Sequence, residues 1–94
     1  MPGTPRHTAA HETRLLVELV NKVKNLDATI AAGFGRMEVK CPCGAMILPL
    51  TPVIPHLKDR QRGLLKSRIR EHLQSVHGIS DITIRVVIGK AFPK

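Results

Sequence analysis

Cys41 and Cys43 flank a single proline, and His72 and His77 stand near the end of a segment patterned as a helix. Two thiolates and two imidazoles are a donor set that zinc takes in tetrahedral structural sites, commonly two from a hairpin turn and two from one face of a following helix. On a helix the two histidines lie about 140° apart around the axis, flanking Leu73 and Val76. Both can lean toward one point at the edge of a core, particularly if the last turn loosens. Cys41, Cys43, His72 and His77 are therefore the candidate ligands of one zinc ion. A disulfide between so close a pair strains the loop and closes almost no chain. A redox pair of thiols, or Cys41 with His72 as a hydrolytic dyad, is the competing chemistry, but no orienting third group or oxyanion site accompanies either. His56 is the main rival ligand, though no second histidine follows it within a few residues; His7 and His11 read as solvated positions near a frayed helix start.

Four elements must position these side chains, and they describe an α+β domain. Thr8 to Ala32 reads as an amphipathic helix after a flexible tail at residues 1–7, with Leu16, Leu19, Val23, Leu26 and Ile30 recurring at steps of three and four. The stripe fits just over two heptads, so it either pairs two copies as a homodimer or packs on its own domain. Glu18, four residues before Lys22, supports the helix, and Gly33-Phe34-Gly35 stops it as a hinge, without the spacing of a phosphate-binding loop. From Met37 to Ile54 the chain is extended, and Pro42, Pro49, Pro52 and Pro55 limit it to short strands or edge pairing. Cys41-Pro42-Cys43-Gly44 has the pattern of a tight metal-binding turn. A second helix runs from Leu57 or Asp59 to His77, with Leu65, Ile69, Leu73 and Val76 on one face, Gly78 as a left-handed cap and Ile79 as the apolar contact beyond it. Asp81 to Ile88 alternates, with Ile82, Ile84, Val86 and Ile88 to one side, and this predicts a half-buried strand packed with the rest of residues 81–94 on the same domain.

Across Val39 to Gly78 the chain resembles the Cys2His2 zinc-finger family, through Cys41-Pro42-Cys43-Gly44 and through His72-Leu73-Gln74-Ser75-Val76-His77. The resemblance implies a zinc-stapled hairpin-plus-helix unit over residues 36–80 and nucleic-acid binding as the commonest role. The pattern is atypical, because one residue separates the cysteines and residues 44–71 separate Cys43 from His72, where the family uses about twelve. Groove-reading positions therefore do not transfer.

The charge points to a polyanion. Fifteen Lys and Arg against seven Asp and Glu give a net charge of +8. Lys58, Arg60, Arg62, Lys66, Arg68 and Arg70 crowd the second helix, Arg85 adds to them, and Arg14, Lys22, Lys24 and Arg36 share their sign. Phe34 and Phe92 are the only aromatics besides histidine, so platforms for stacking single-stranded bases are lacking. The expectation is backbone-directed binding of a duplex, RNA slightly ahead of DNA, with little sequence specificity; a viral accessory factor masking double-stranded RNA is one protein of this description. The rival is a zinc-stabilised protein-interaction adaptor using the Leu16–Ile30 stripe and the Ile82–Ile88 segment. Glu12, Glu18, Asp27, Glu38, Asp59, Glu71 and Asp81 form no acid–base constellation, so an enzyme, most plausibly a nuclease, is not expected, nor is a small-molecule substrate. No apolar run is long enough to span a bilayer and no basic-then-apolar leader occupies Met1–Ala10, which predicts an intracellular protein, cytoplasmic or nuclear, without a membrane partner.

Overall fold

A computed structural model describes the backbone of residues 4–93 and the side chains of residues 12–93. His7 and His11 lie outside the described side chains. The order is α1 (Thr4–Ala32), β1 (Arg36–Lys40), β2 (Met46–Pro52), a 3-10 turn at Pro55–Leu57, α2 (Lys58–Ser75) and α3 (Asp81–Ala91). The domain is α+β, with three helices around one antiparallel hairpin. Among the described residues no helix is long and apolar enough to cross a membrane.

The stripe on α1 packs on its own domain. Leu19, Val23 and Ile30 are completely buried within the single chain, and Leu16 and Leu26 pack against the same core. Leu19, Val23 and Ile30 are thus taken up by the chain's own core, while Leu16 and Leu26 stay half-buried at its edge. The helix begins at Thr4, ahead of the expected start, and takes in part of the expected tail.

In β1, Met37 and Val39 face the core while Arg36, Glu38 and Lys40 face solvent. β2 pairs with β1 in a register interrupted between Met37 and Val39 and again between Val39 and Lys40. The interruptions let β2 turn Ile47 and Leu48, adjacent in sequence, both inward. Pro49 and Pro52 lie exposed on this two-stranded sheet, where every strand has a free edge. On α2, Gln61, Leu65, Ile69 and Leu73 form the buried stripe, one turn apart. Gln61 is polar on that stripe because it fastens the end of the hairpin: its Oε1 accepts from Ile54 N–H at 3.0 Å and its Nε2 donates to Pro52 O at 2.9 Å.

The expected C-terminal strand is a helix. Ser80 is its N-cap, in extended conformation, with Oγ accepting from Thr83 N–H at 3.3 Å, and Asp81 lies in the first turn. Ile84, Val87 and Ala91 then fall on one buried face at helical spacing, with Phe92 buried just beyond. Ile82, 76% exposed, and Val86 lie outside that face, although alternation places them with Ile84. The true period is that of a helix packed on α1.

Candidate metal centre

The hairpin turn is built by its own residues. Gly44 N–H donates to Cys41 O at 2.8 Å, closing a four-residue turn with proline second and glycine last, and Cys41 N–H donates to Ala45 O at 2.8 Å. Gly44 has φ +99°, the left-handed geometry that follows such a turn in a three-residue hairpin loop. Cys41 is buried at the core edge and Cys43 is exposed at the tip.

The second pair comes from the end of α2. His72 is in its last turn; the helix stops at Ser75, and Val76 N–H donates back to His72 O at 2.9 Å. Gly78, at φ +61°, reverses the chain so that Ile79 N–H reaches Leu73 O at 3.0 Å and the Ile79 side chain is buried. His77 thus belongs to the turn, and the loosened end carries its ring toward that of His72. Val76, expected on the apolar face, is 59% exposed as a result.

The four donor atoms lie within 4.8 Å of one another. Cys41 Sγ is 3.6 Å from His77 Nε2 and Cys43 Sγ is 3.5 Å from His72 Nε2. The imidazoles meet edge to face with centroids 5.0 Å apart. Zinc–sulfur and zinc–nitrogen bonds of about 2.3 and 2.05 Å at the tetrahedral angle give a sulfur–nitrogen edge of about 3.6 Å. Both measured sulfur–nitrogen separations match that edge, so Cys41, Cys43, His72 and His77 form a cluster that can hold a metal ion, compatible with a zinc-finger-like site. His56 is not part of it. It sits in the 3-10 turn ahead of α2, about 24 Å of helix from His72.

Burial pushes the Cys41 thiol from its ordinary 9.0 to about 11; the Cys43 backbone N–H and the Lys22 ammonium pull it down, while the Cys43 thiol adds to the rise. Lys22 is fixed near this corner by donating to Lys40 O at 3.2 Å. Burial, and then the neighbouring His77, lower His72 below its ordinary 6.5. A depressed histidine means that the folded chain binds fewer protons than the unfolded one, so this contribution is present above about pH 6.5 and lost on acidification. A raised thiol means the reverse: its contribution is present below about pH 9 and lost as pH rises toward 11. The metal-free protein should therefore draw most stability from this corner between about pH 6.5 and 9. Urea midpoints measured against pH with chelator present check this, and a midpoint rising steadily through both limits would contradict it.

The structure divides the cations expected to bind nucleic acid. Arg62 pairs with the nearly buried Asp27 through two bonds, Nε to Oδ1 at 2.7 Å and Nη2 to Oδ2 at 3.3 Å, and also lies over the Phe92 ring. Lys66 sits 5.2 Å from the centroid of the same ring. Arg70 and Arg85 share Asp81, at 3.4 and 3.1 Å, and Lys58 Nζ donates to Ala31 O at 3.4 Å. Arg60 and Arg68 are exposed and, among the described residues, have no ion pair or hydrogen bond. Gln61, Asp27, Asp81 and Phe92 thus have positioning roles that the pattern of charge along the chain does not reveal. The four-residue recurrence of Gln61 with Leu65, Ile69 and Leu73 is the one sequence signal that places any of them.

Comparison with protein-family models, with curated proteins and with solved structures gave no match, so the metal cluster is likened to the zinc-finger site on its own residues and geometry.

Proposed function

We propose that the chain is a zinc-stapled nucleic-acid-binding protein that holds duplex RNA or DNA through its backbone. Zinc is the ion favoured by two thiolates and two imidazoles at tetrahedral spacing, and its role is structural because all four positions come from the protein. The observation that carries the nucleic-acid reading is the excess of eight positive charges together with exposed, unpaired Arg60 and Arg68 on α2. Arg36, Lys40 and Lys90 add exposed charge elsewhere on the surface. The backbone positions of Arg60 and Arg68 are separated by about 12 Å along the helix axis, a span that lets the two side chains reach separate phosphates of one backbone.

Replacing Arg60 and Arg68 together by Ala should weaken duplex binding and reduce the slope of log affinity against log salt by about one for each phosphate left without its arginine. Arg70→Ala, which removes a cation already shared with Asp81, should weaken it less. Salt-titrated gel shifts with single- and double-stranded RNA and DNA check both. Unchanged affinity in the double variant removes this surface from the proposal.

A second reading rests on a groove between α1 and α3, where Leu16, Val17, Val20, Val86 and Val87 form apolar walls. If none of the four polymers binds, this groove becomes the leading functional surface and the chain an adaptor.

A further inference from the structure

Phe92 is buried beneath Arg62 and Lys66, but Phe34 is 73% exposed. Its loop is held from both sides. Gly33 N–H donates to Ile30 O at 3.0 Å, closing the end of α1, and Gly35 O accepts from Val53 N–H at 2.9 Å, joining the loop to the residue after β2. Gly33 and Gly35 have φ of +85° and +102°, so both flanking positions need glycine to present the side chain this way. A Cβ on Gly33 would lie 3.7 Å from Pro55, which seats the loop against the 3-10 turn leading into α2.

The adjoining elements carry positive charge. Arg36 follows the loop and is exposed, Lys58 Nζ is anchored on Ala31 O, and unpaired Arg60 lies in the first turn of α2. Asp59 is the one carboxylate in this stretch of α2. A ring on a loop held at both ends, with exposed arginines on the adjoining elements, offers both parts of a nucleotide a contact: the ring for the face of a base and the cations for the phosphates.

We propose that Phe34 is a stacking site for an unstacked nucleobase, so that the chain prefers duplexes that present one, at an overhang or a junction, over blunt duplexes. The proposal rests on the nucleic-acid reading above and narrows its substrate class. It also revises the inference from composition that stacking is absent, since one aromatic placed at a fixed tip is enough for one base.

The test uses the full chain loaded with zinc, a blunt RNA duplex, and the same duplex with a short single-stranded overhang carrying a fluorescent adenine analogue. Wild type should bind the overhang duplex more tightly and quench the analogue. Phe34→Ala should lose that advantage by about 5- to 150-fold, the range that base–aromatic stacking supplies, while keeping its affinity for the blunt duplex. Phe34→Trp should retain both advantage and quenching. Equal binding of the two duplexes by wild type, or an overhang preference unchanged in Phe34→Ala, overturns the stacking site and leaves the duplex reading standing. Failure of wild type to bind either duplex overturns both. Phe34-dependent sedimentation with anionic vesicles, without an overhang preference, assigns the ring to a lipid surface and also overturns the proposal. The exposed position lets circular dichroism confirm that each variant is folded.

Discussion

Cys41→Ala should abolish tight zinc binding and lower the thermal midpoint of the zinc-loaded protein by roughly 15–30 °C. The size follows from linkage: a ligand present at a thousandfold its dissociation constant stabilises the fold by about 4 kcal/mol, and each kcal/mol moves the midpoint of a domain this small by about 4–8 °C. Cys41 is the sensitive choice because its sulfur lies at the core edge, while its turn joins β1 to β2 and faces the end of α2. An ion held there fastens the hairpin to α2 at the end opposite Gln61, which already ties Pro52 and Ile54 to the start of that helix. Without the ion, the packing of α1 on α3 and the hydrogen bonds of Gln61 to the hairpin should persist, since neither involves the four metal-site side chains. Chelation should therefore loosen the turn and the last turn of α2 first, with the remainder unfolding at the lower midpoint. Melts of wild type and Cys41→Ala, with zinc and with chelator, measure the effect. Native mass spectrometry should find one ion per wild-type chain. A wild-type midpoint indifferent to zinc would refute a structural metal centre.

The Cys–His cluster was legible in the sequence because its signals were scarce and local. Two cysteines around one proline, followed by glycine, define a turn almost without alternatives, and His77 followed by Gly78 marks a helix end. The intervening chain, too long for an ordinary finger, is explained by the fold: it contains all of β2 and most of α2, and the hairpin returns along the helix so that distant residues meet. Alternation over Asp81 to Ile88 misled because β-branched residues in a short window satisfy a period of two and a period of 3.6 nearly equally. The deciding signal was at the boundary, where Ser80 and Asp81 supply a cap and a first-turn acid. Charge was legible in sign but not in use. Asp27 and Asp81 are far in sequence from Arg62 and Arg70, so tertiary packing separates those two from unpaired Arg60 and Arg68, whereas Arg85 meets Asp81 one helical turn away. The exposure of Phe34 was hidden for the same reason, since the glycines that stop α1 also present the ring.

Leu19→Asp should unfold the chain, and the physical reason separates the two roles that the α1 stripe admits from sequence alone. Leu19 is completely enclosed within one chain, in the same cluster as Val23 and Ile30. Truncation to Ala at such a site costs about 2–5 kcal/mol through forfeited transfer free energy and the cavity left behind. A carboxylate adds the cost of an ionised or unsatisfied group without a partner, together several kcal/mol more, against a total stability of about 5–15 kcal/mol for a domain. Val17, two residues earlier and largely exposed, supplies the control: Val17→Asp should change stability by about 0.5 kcal/mol or less. Circular dichroism with sedimentation on both variants gives the outcome. Loss of helical signal in Leu19→Asp with little change in Val17→Asp is the result required by a stripe buried inside its own domain. A Leu19→Asp protein that kept its fold and only halved its mass would instead return the stripe to a seam between subunits, where a charge separates two copies without entering a core.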